Sequence, residues 1–178
     1  APPLFSLSLP TMQAIQTIAS IFQSRFGSEP VLFSAPGRIN LIGEHTDYNE
    51  GFVMPAAIDM TVDFAINKNN KEIFRFYAAD FDEYFETKRI VNEKDAFKWV
   101  PYMMGVMAQF QRREIGLTGI DCVFSGNIPV GAGLSSSAAF ECGIAFGLNE
   151  ILGTKLEREE LALMCQTAEH EYAGVKCG

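Results

Sequence analysis

The chain of 178 residues has little of what metal centres and disulfide frameworks are built from. Its two histidines and four cysteines, Cys122, Cys142, Cys165 and Cys177, form no C-x-x-C pair, which argues against a zinc site. Basic residues are scarce: 14 against 22 acidic ones, for a net charge of −8. That sign disfavours nucleic acid and anionic membrane surfaces as partners. It leaves room for a phosphorylated small molecule, because backbone N–H groups hold phosphates without side-chain charge. No apolar run reaches the length of a membrane span. The opening "APPLFSLSLP" lacks a positive start and is broken by prolines, so it does not read as a signal peptide. It begins with Ala rather than Met, so the numbering is expected to start after processing or cloning. The thiols are expected to be reduced, mostly core fillers, in a cytoplasmic protein.

What is present fits an ordinary globular domain. Hydrophobic residues make up 48% and charged residues 20%, and a chain of this length buries about 70% of its unfolded surface. Thr11 to Phe26 reads as a helix with Thr11 as cap, Ile15, Ile18, Ala19 and Phe22 as an apolar stripe, and Gly27 as its end. Val31 to Ala35 and Ile39 to Ile42 read as strands with a bend at Pro36-Gly37. Phe52 to Pro55, Met60 to Ile66 and Glu72 to Asp80 read as further strands. Lys98 to Arg113 is expected to be helical, and "GIDCVFSGNIP" to be a strand entering a turn. Leu134 to Leu152 is a helix apolar on nearly every face and so buried. Glu157 to Tyr172 is a last helix. Strands first, mixed with helices, predict an α+β fold.

Two places carry chemistry. "PVGAGLSSSAAF", from Pro129 to Phe140, follows a strand and opens the buried helix. Its glycines permit close backbone approach. Ser135, Ser136 and Ser137 stand where N–H groups lack partners and the helix dipole is positive. A polyphosphate satisfies both, and one hydroxyl is free to ligate Mg²⁺. The plain alternative is a serine cap on a core helix. No Lys follows the glycines, so this is not a Walker loop, and no third glycine makes it a nicotinamide fingerprint. On the last helix, Leu161, Cys165, Ala168 and Tyr172 form an apolar stripe with Glu169 at its edge. Glu171 lies about 200° away and faces solvent. An inward carboxylate wants a cation beside the phosphate loop; the alternative is a surface Glu paired with a Lys.

The other place is "GRINLIGEHTDYNEG", from Gly37 to Gly51. Arg38 offers a forked cation for a transferring phosphoryl group. Glu44, His45 and Asp47 offer the directed acceptors that sugar hydroxyls need. A charged turn capped by Asp47-Tyr48-Asn49 is the alternative. This stretch resembles the galactokinase signature, and "PVGAGLSSSAA" resembles the ATP-binding motif of the GHMP kinase superfamily. The two stand about 90 residues apart, in the family's order. The likeness runs from Val31 to Gly178.

The resemblance implies a ribosomal-protein-S5-domain-2-like fold and a GHMP kinase N-terminal domain over residues 1–178, with the signature at 38–51 and the ATP motif at 129–140. It implies transfer of the ATP γ-phosphate to the C1 hydroxyl of α-D-galactose, giving galactose 1-phosphate, by a cytoplasmic monomer. Arg38 would stabilise the transition state. Glu44, His45, Thr46 and Asp47 would bind galactose. Gly131, Ala132, Gly133, Leu134, Ser135, Ser136 and Ser137 would cradle ATP. Ser137 and Glu169 would hold Mg²⁺, and Trp99 and Tyr102 would lie near adenine, a core role being the alternative. The family motif continues "IMDQ" after Gly178, its Asp being the base, and is followed by a C-terminal lobe. Without that Asp, a loss of about 10²–10⁴-fold is expected, so residues 1–178 alone are expected to be nearly inactive. A galactose- and ATP-binding sensor is one alternative, disfavoured by the intact "GLSSSAA". A kinase for a derivative such as N-acetylgalactosamine is another.

Overall fold

The computed structural model describes residues 12–43, 51–92, 97–129 and 133–175. The chain runs α1 (Met12–Phe26), β1 (Val31–Ile42), β2 (Met54–Lys68), β3 (Phe74–Ala78), β4 (Glu83–Thr87), α2 (Val100–Arg112), β5 (Ile120–Gly126), α3 (Ser136–Leu152) and α4 (Arg158–Ala168), and α4 continues into one π-helical turn, Glu169–Ala173. The five strands form one mixed sheet in the order β1-β2-β5-β3-β4, antiparallel except for the β3–β5 pair. The α+β expectation holds.

Period-two alternation explains how the layers form. Phe64 and Ile66 on β2, Phe74 and Phe76 on β3, and Cys122 and Phe124 on β5 are buried on one face, beneath α2, α3 and α4. The residues between them, Ala65, Tyr77 and Val123, bury against Ile18 and Phe22 of α1 on the other. Phe22 and Phe26 meet edge to face at 5.0 Å between centroids. Both faces of β2 are therefore covered, and its run from Thr61 to Ile66 is buried throughout.

Several elements are longer or different from the sequence expectation. The two strands expected around Pro36-Gly37 form one, β1, with a register shift between Pro36 and Arg38 that absorbs the bend. Phe52–Pro55 and Met60–Ile66 likewise merge into β2. β4 was not expected; it pairs Phe85 with Phe76 and carries Glu83. On α3, Cys142 and Phe146 are exposed, so that helix is less completely enclosed than its composition implies. Of the cysteines, Cys122 and Cys165 are buried and unpaired; Cys177, like the Thr11 cap, lies outside the described residues.

Two features hold the layers in place. Gly143 and Gly147 face the sheet, and a Cβ on either would overlap the ring of Phe64 or Phe33 respectively. Phe33 and Phe64 stack at 5.1 Å beneath them. At the far end of the sheet, Arg75 on β3 makes a two-pronged contact with Asp121 on β5, Nε to Oδ1 at 2.7 Å and Nη2 to Oδ2 at 2.6 Å, and Asn69 Nδ2 donates to the same carboxylate at 2.7 Å. Asp121 is 1% exposed, so its charge depends on these partners.

In Gly143→Ala, helix propensity gains at most about 1 kcal/mol, whereas overpacking against Phe64 costs about 1–3 kcal/mol. A lower urea midpoint is therefore expected, and an unchanged or higher one would show that α3 has room to withdraw from the sheet. Asp121→Ala strands Arg75 and is expected to lower stability by about 3 kcal/mol, read from the same denaturation curves.

Candidate active site

The site is built where β1 passes the start of α3. After β5, Asn127 is clamped to β2 from both sides: its N–H donates to Thr61 O at 3.1 Å, and its Oδ1 accepts from Thr61 N at 2.8 Å. Ile128 is buried. These contacts fix the stem of the glycine-rich loop. On its other side Leu134 O accepts the Arg38 N–H at 3.1 Å. A side chain at position 37 would meet that same carbonyl at 2.9 Å, so only glycine lets β1 run this close. Arg38 is thus joined to the loop through its backbone, and its side chain is exposed.

Ser135 precedes α3 in the left-handed conformation (φ 57°, ψ 44°), and its side chain caps no helical N–H. That removes the plain reading of the serines as a helix cap. The N–H groups of the first turn lack intrahelical acceptors, no acidic residue occupies that turn, and Ser135, Ser136 and Ser137 are only half-buried. Gly133 also takes a positive φ, 71°. This combination suits an anion. Gly131 and Ala132, expected to cradle phosphates, lie outside the described residues, as do Glu44, His45, Thr46 and Asp47, expected to bind sugar.

The last helix supplies the carboxylate. The expected helix from Glu157 to Tyr172 is α-helical only as far as Ala168; from Glu169 it widens into the π turn, which Gly174 closes at φ 72°. Such turns are rare and collect at functional sites. Glu169 is 4% exposed, whereas Glu171 is exposed and paired with Arg112, so the inward and outward assignments hold. Gly105 on α2 makes room: a Cβ there would meet Tyr172 Cβ at 3.0 Å and Ala168 Cβ at 3.2 Å.

Tyr102 is half-buried on α2. Burial first, then the charges of Glu169 and Glu141, push its hydroxyl up in pKa. It therefore stands among the carboxylates. Trp99 meets different neighbours. It is 8% exposed, stacks on Phe97 at 6.0 Å, packs edge to face on Phe124 at 5.1 Å, and its indole N–H donates to Glu83 at 2.7 Å. The structure gives Trp99 the core role that was its alternative reading, and its polar atom is already engaged.

The residue that sequence reasoning missed is Glu141, one turn into α3. It is 1% exposed, and its Oε1 has no hydrogen-bond partner among the described residues. Burial, then Glu169 and Cys142, raise its pKa to about 9. The signal was there, since Glu141 follows Ser137 by four and shares its helix face, but it was masked by the apolar residues around it. Beside it Cys142 is held below its ordinary pKa, chiefly by a hydrogen bond with Cys165 and to a lesser degree by Arg38. The Arg38 charge is thereby felt at Cys142, in the second turn of α3.

Comparison with known proteins agrees with this arrangement. A family model for the galactokinase galactose-binding signature matches residues 20–68, and one for the GHMP kinase N-terminal domain matches residues 101–178. Galactokinases of Chloroflexus aurantiacus and Chloroflexus aggregans are each 40% identical over 170 residues, covering 94% of this chain and 43% of theirs. The crystal structure of Lactococcus lactis galactokinase complexed with galactose superposes with a TM-score of 0.86 and 31% identity, over 93% of this chain and 44% of that one. Methanococcus jannaschii mevalonate kinase shares the fold at a TM-score of 0.72 and 21% identity, over 83% of this chain and 48% of that one. The chain spans less than half the length of these relatives. Both models are matched in order and the fold is shared: the galactokinase galactose-binding signature is followed by the GHMP kinase N-terminal domain, and over most of its length the chain is similar to part of the galactokinases.

Proposed function

We propose that this domain serves an ATP-dependent galactose kinase that forms galactose 1-phosphate. The carrying observation is the backbone bond between Arg38 and Leu134, which ties the galactokinase signature to the start of the phosphate-binding helix. The galactose in the Lactococcus lactis relative supports the choice of sugar.

Phosphoryl transfer is mostly positioning and electrostatics. The uncapped first turn of α3 and the hydroxyls of Ser135 and Ser136 bind the ATP phosphates, together with Gly131, Ala132, Gly133 and Leu134. Arg38 lies beside them and balances charge on the phosphoryl group in transit. Glu44, His45, Thr46 and Asp47 hold the sugar hydroxyls. Tyr102 lies towards the nucleotide, while Trp99 shapes the wall from the core side.

The residues also fit Mg²⁺. Ser137 and Glu169 supply oxygen donors, hard ligands of the kind this ion takes, and Glu169 is buried without an ion pair among the described residues. When bound, Mg²⁺ would neutralise phosphate charge there. If the family motif continues past Gly178 as the resemblance implies, its Asp is the proton acceptor for the sugar. The unpaired thiols among the described residues suit a reducing compartment such as the cytoplasm. No described helix is long and apolar enough to cross a membrane.

The test is galactose-dependent ADP release with ATP and Mg²⁺, on the 178-residue chain and on the full-length gene product. The full-length product is expected to turn over and the 178-residue chain to be nearly inactive; no galactose-dependent release from the full-length product would overturn the assignment. Arg38→Ala in the active form is expected to lower kcat by about 10²–10³-fold, with an unchanged circular dichroism spectrum. Ser137→Ala is expected to raise the Mg²⁺ concentration needed for half-maximal rate.

A further inference from the structure

Glu141 has no task in the scheme above, yet the fold keeps it at some cost. It lies about 200° round α3 from Gly143, so it points away from the sheet, on the side where α2 and α4 pack. Side chains in a helix lean towards its N-terminus, which carries this carboxylate back over the turn that bears Ser137. The groups felt at this spot are Glu169 from the π turn, Cys165 from α4, Tyr102 from α2 and Cys142 from α3 itself. Among the described residues no cation acts on Glu141 itself, and Arg38 is felt only weakly, at Cys142. Two carboxylates are thus buried together, 1% and 4% exposed, with Glu141 Oε1 unpartnered among the described residues. A buried acceptor without a donor is costly, and ionising both carboxylates side by side would be costlier.

A cation between them removes both penalties. Among the described residues no three His, Cys, Asp or Glu side chains form a cage, so such an ion needs oxygens from elsewhere. That is the habit of Mg²⁺, which takes one or two carboxylates and completes its shell with waters and substrate phosphates. Resting on the reading that this domain binds a magnesium nucleotide, we propose that Glu141 is a further ligand of that cation, alongside Ser137 and Glu169. The ion is then held by two helices at once, Ser137 and Glu141 one turn apart on α3 and Glu169 across the seam. Arg38 is left to the phosphoryl group.

Mn²⁺ serves as the probe, its binding followed by electron spin resonance in the presence of ATP, for the unsubstituted full-length protein, Glu169→Gln and Glu141→Gln. The nucleotide binds Mn²⁺ by itself, so the protein-dependent ternary complex is the quantity read. Glu141→Gln is expected to weaken that complex about 10-fold or more, as Glu169→Gln does. If Glu169→Gln weakens it and Glu141→Gln leaves it unchanged, Glu141 is no ligand and the proposal falls while the magnesium-nucleotide reading stands. If the unsubstituted protein forms no ternary complex, that reading falls and takes the proposal with it. Should Glu141→Gln fail to fold, the unsubstituted protein crystallised with Mn²⁺ and ADP decides the matter. Anomalous density at ligand distance from the Glu141 carboxylate supports the proposal, and density at Glu169 but away from Glu141 overturns it.

Discussion

The contact on which the rest depends is the direct approach of α3 to the sheet. Two glycines on one helix face, Gly143 and Gly147, lie on the stacked rings of Phe64 and Phe33. Close packing of this kind sets a helix's position to within a fraction of an ångström, because the interior yields little. The start of α3 is placed by the same contact, and so is Leu134, whose carbonyl meets the Arg38 N–H. Side chains from the opposite face of α3 turn to α2 and α4. One helix thus separates an apolar contact from a polar one, and the accuracy of the first is inherited by the second.

On the proposed reading an acidic chain must attract a polyphosphate, and the layout of the site bears on how it could. Positive potential comes from the backbone at the start of α3, where no acidic side chain intrudes in the first turn, and from one exposed arginine. The carboxylates are kept one turn deeper, in the seam between α2, α3 and α4. On the proposed reading a metal ion there would offset their charge. The uncapped N–H groups and the buried carboxylates are separated along α3 by about one turn, some 5–6 Å.

Much of this was written plainly in the sequence. The glycine-rich loop, the serines, the buried helix and the inward Glu169 follow from spacing and polarity, because each is a local property of a few residues. The misses are those in which distant residues decide. Pro36-Gly37 looks like a break between two strands, yet pairing with β2 carries the strand across it. β4 has no alternation strong enough to announce it and exists because β3 offers an edge and Trp99 needs Glu83. The π turn leaves no mark in the local sequence: Glu169 to Ala173 would serve equally well as ordinary helix, and packing on Gly105 accompanies the wider turn. Glu141 was hidden in an apolar stretch because burial alone does not reveal what a polar residue is for. Composition likewise made α3 look buried all round, although Cys142 and Phe146 are exposed.

Among the described strands β1 is an outer one, and at 12 residues it is long for that place. A free edge of that length is a template on which another chain can grow. Pro36 lies midway along it, next to the register shift at Arg38, and proline has no N–H to offer a newcomer. The bend that brings Arg38 to the loop therefore also splits the edge into two short pieces, neither long enough to recruit a stranger's strand with ease. The same irregularity that joins Arg38 to the glycine-rich loop thus makes β1 a poorer template for a neighbour's strand.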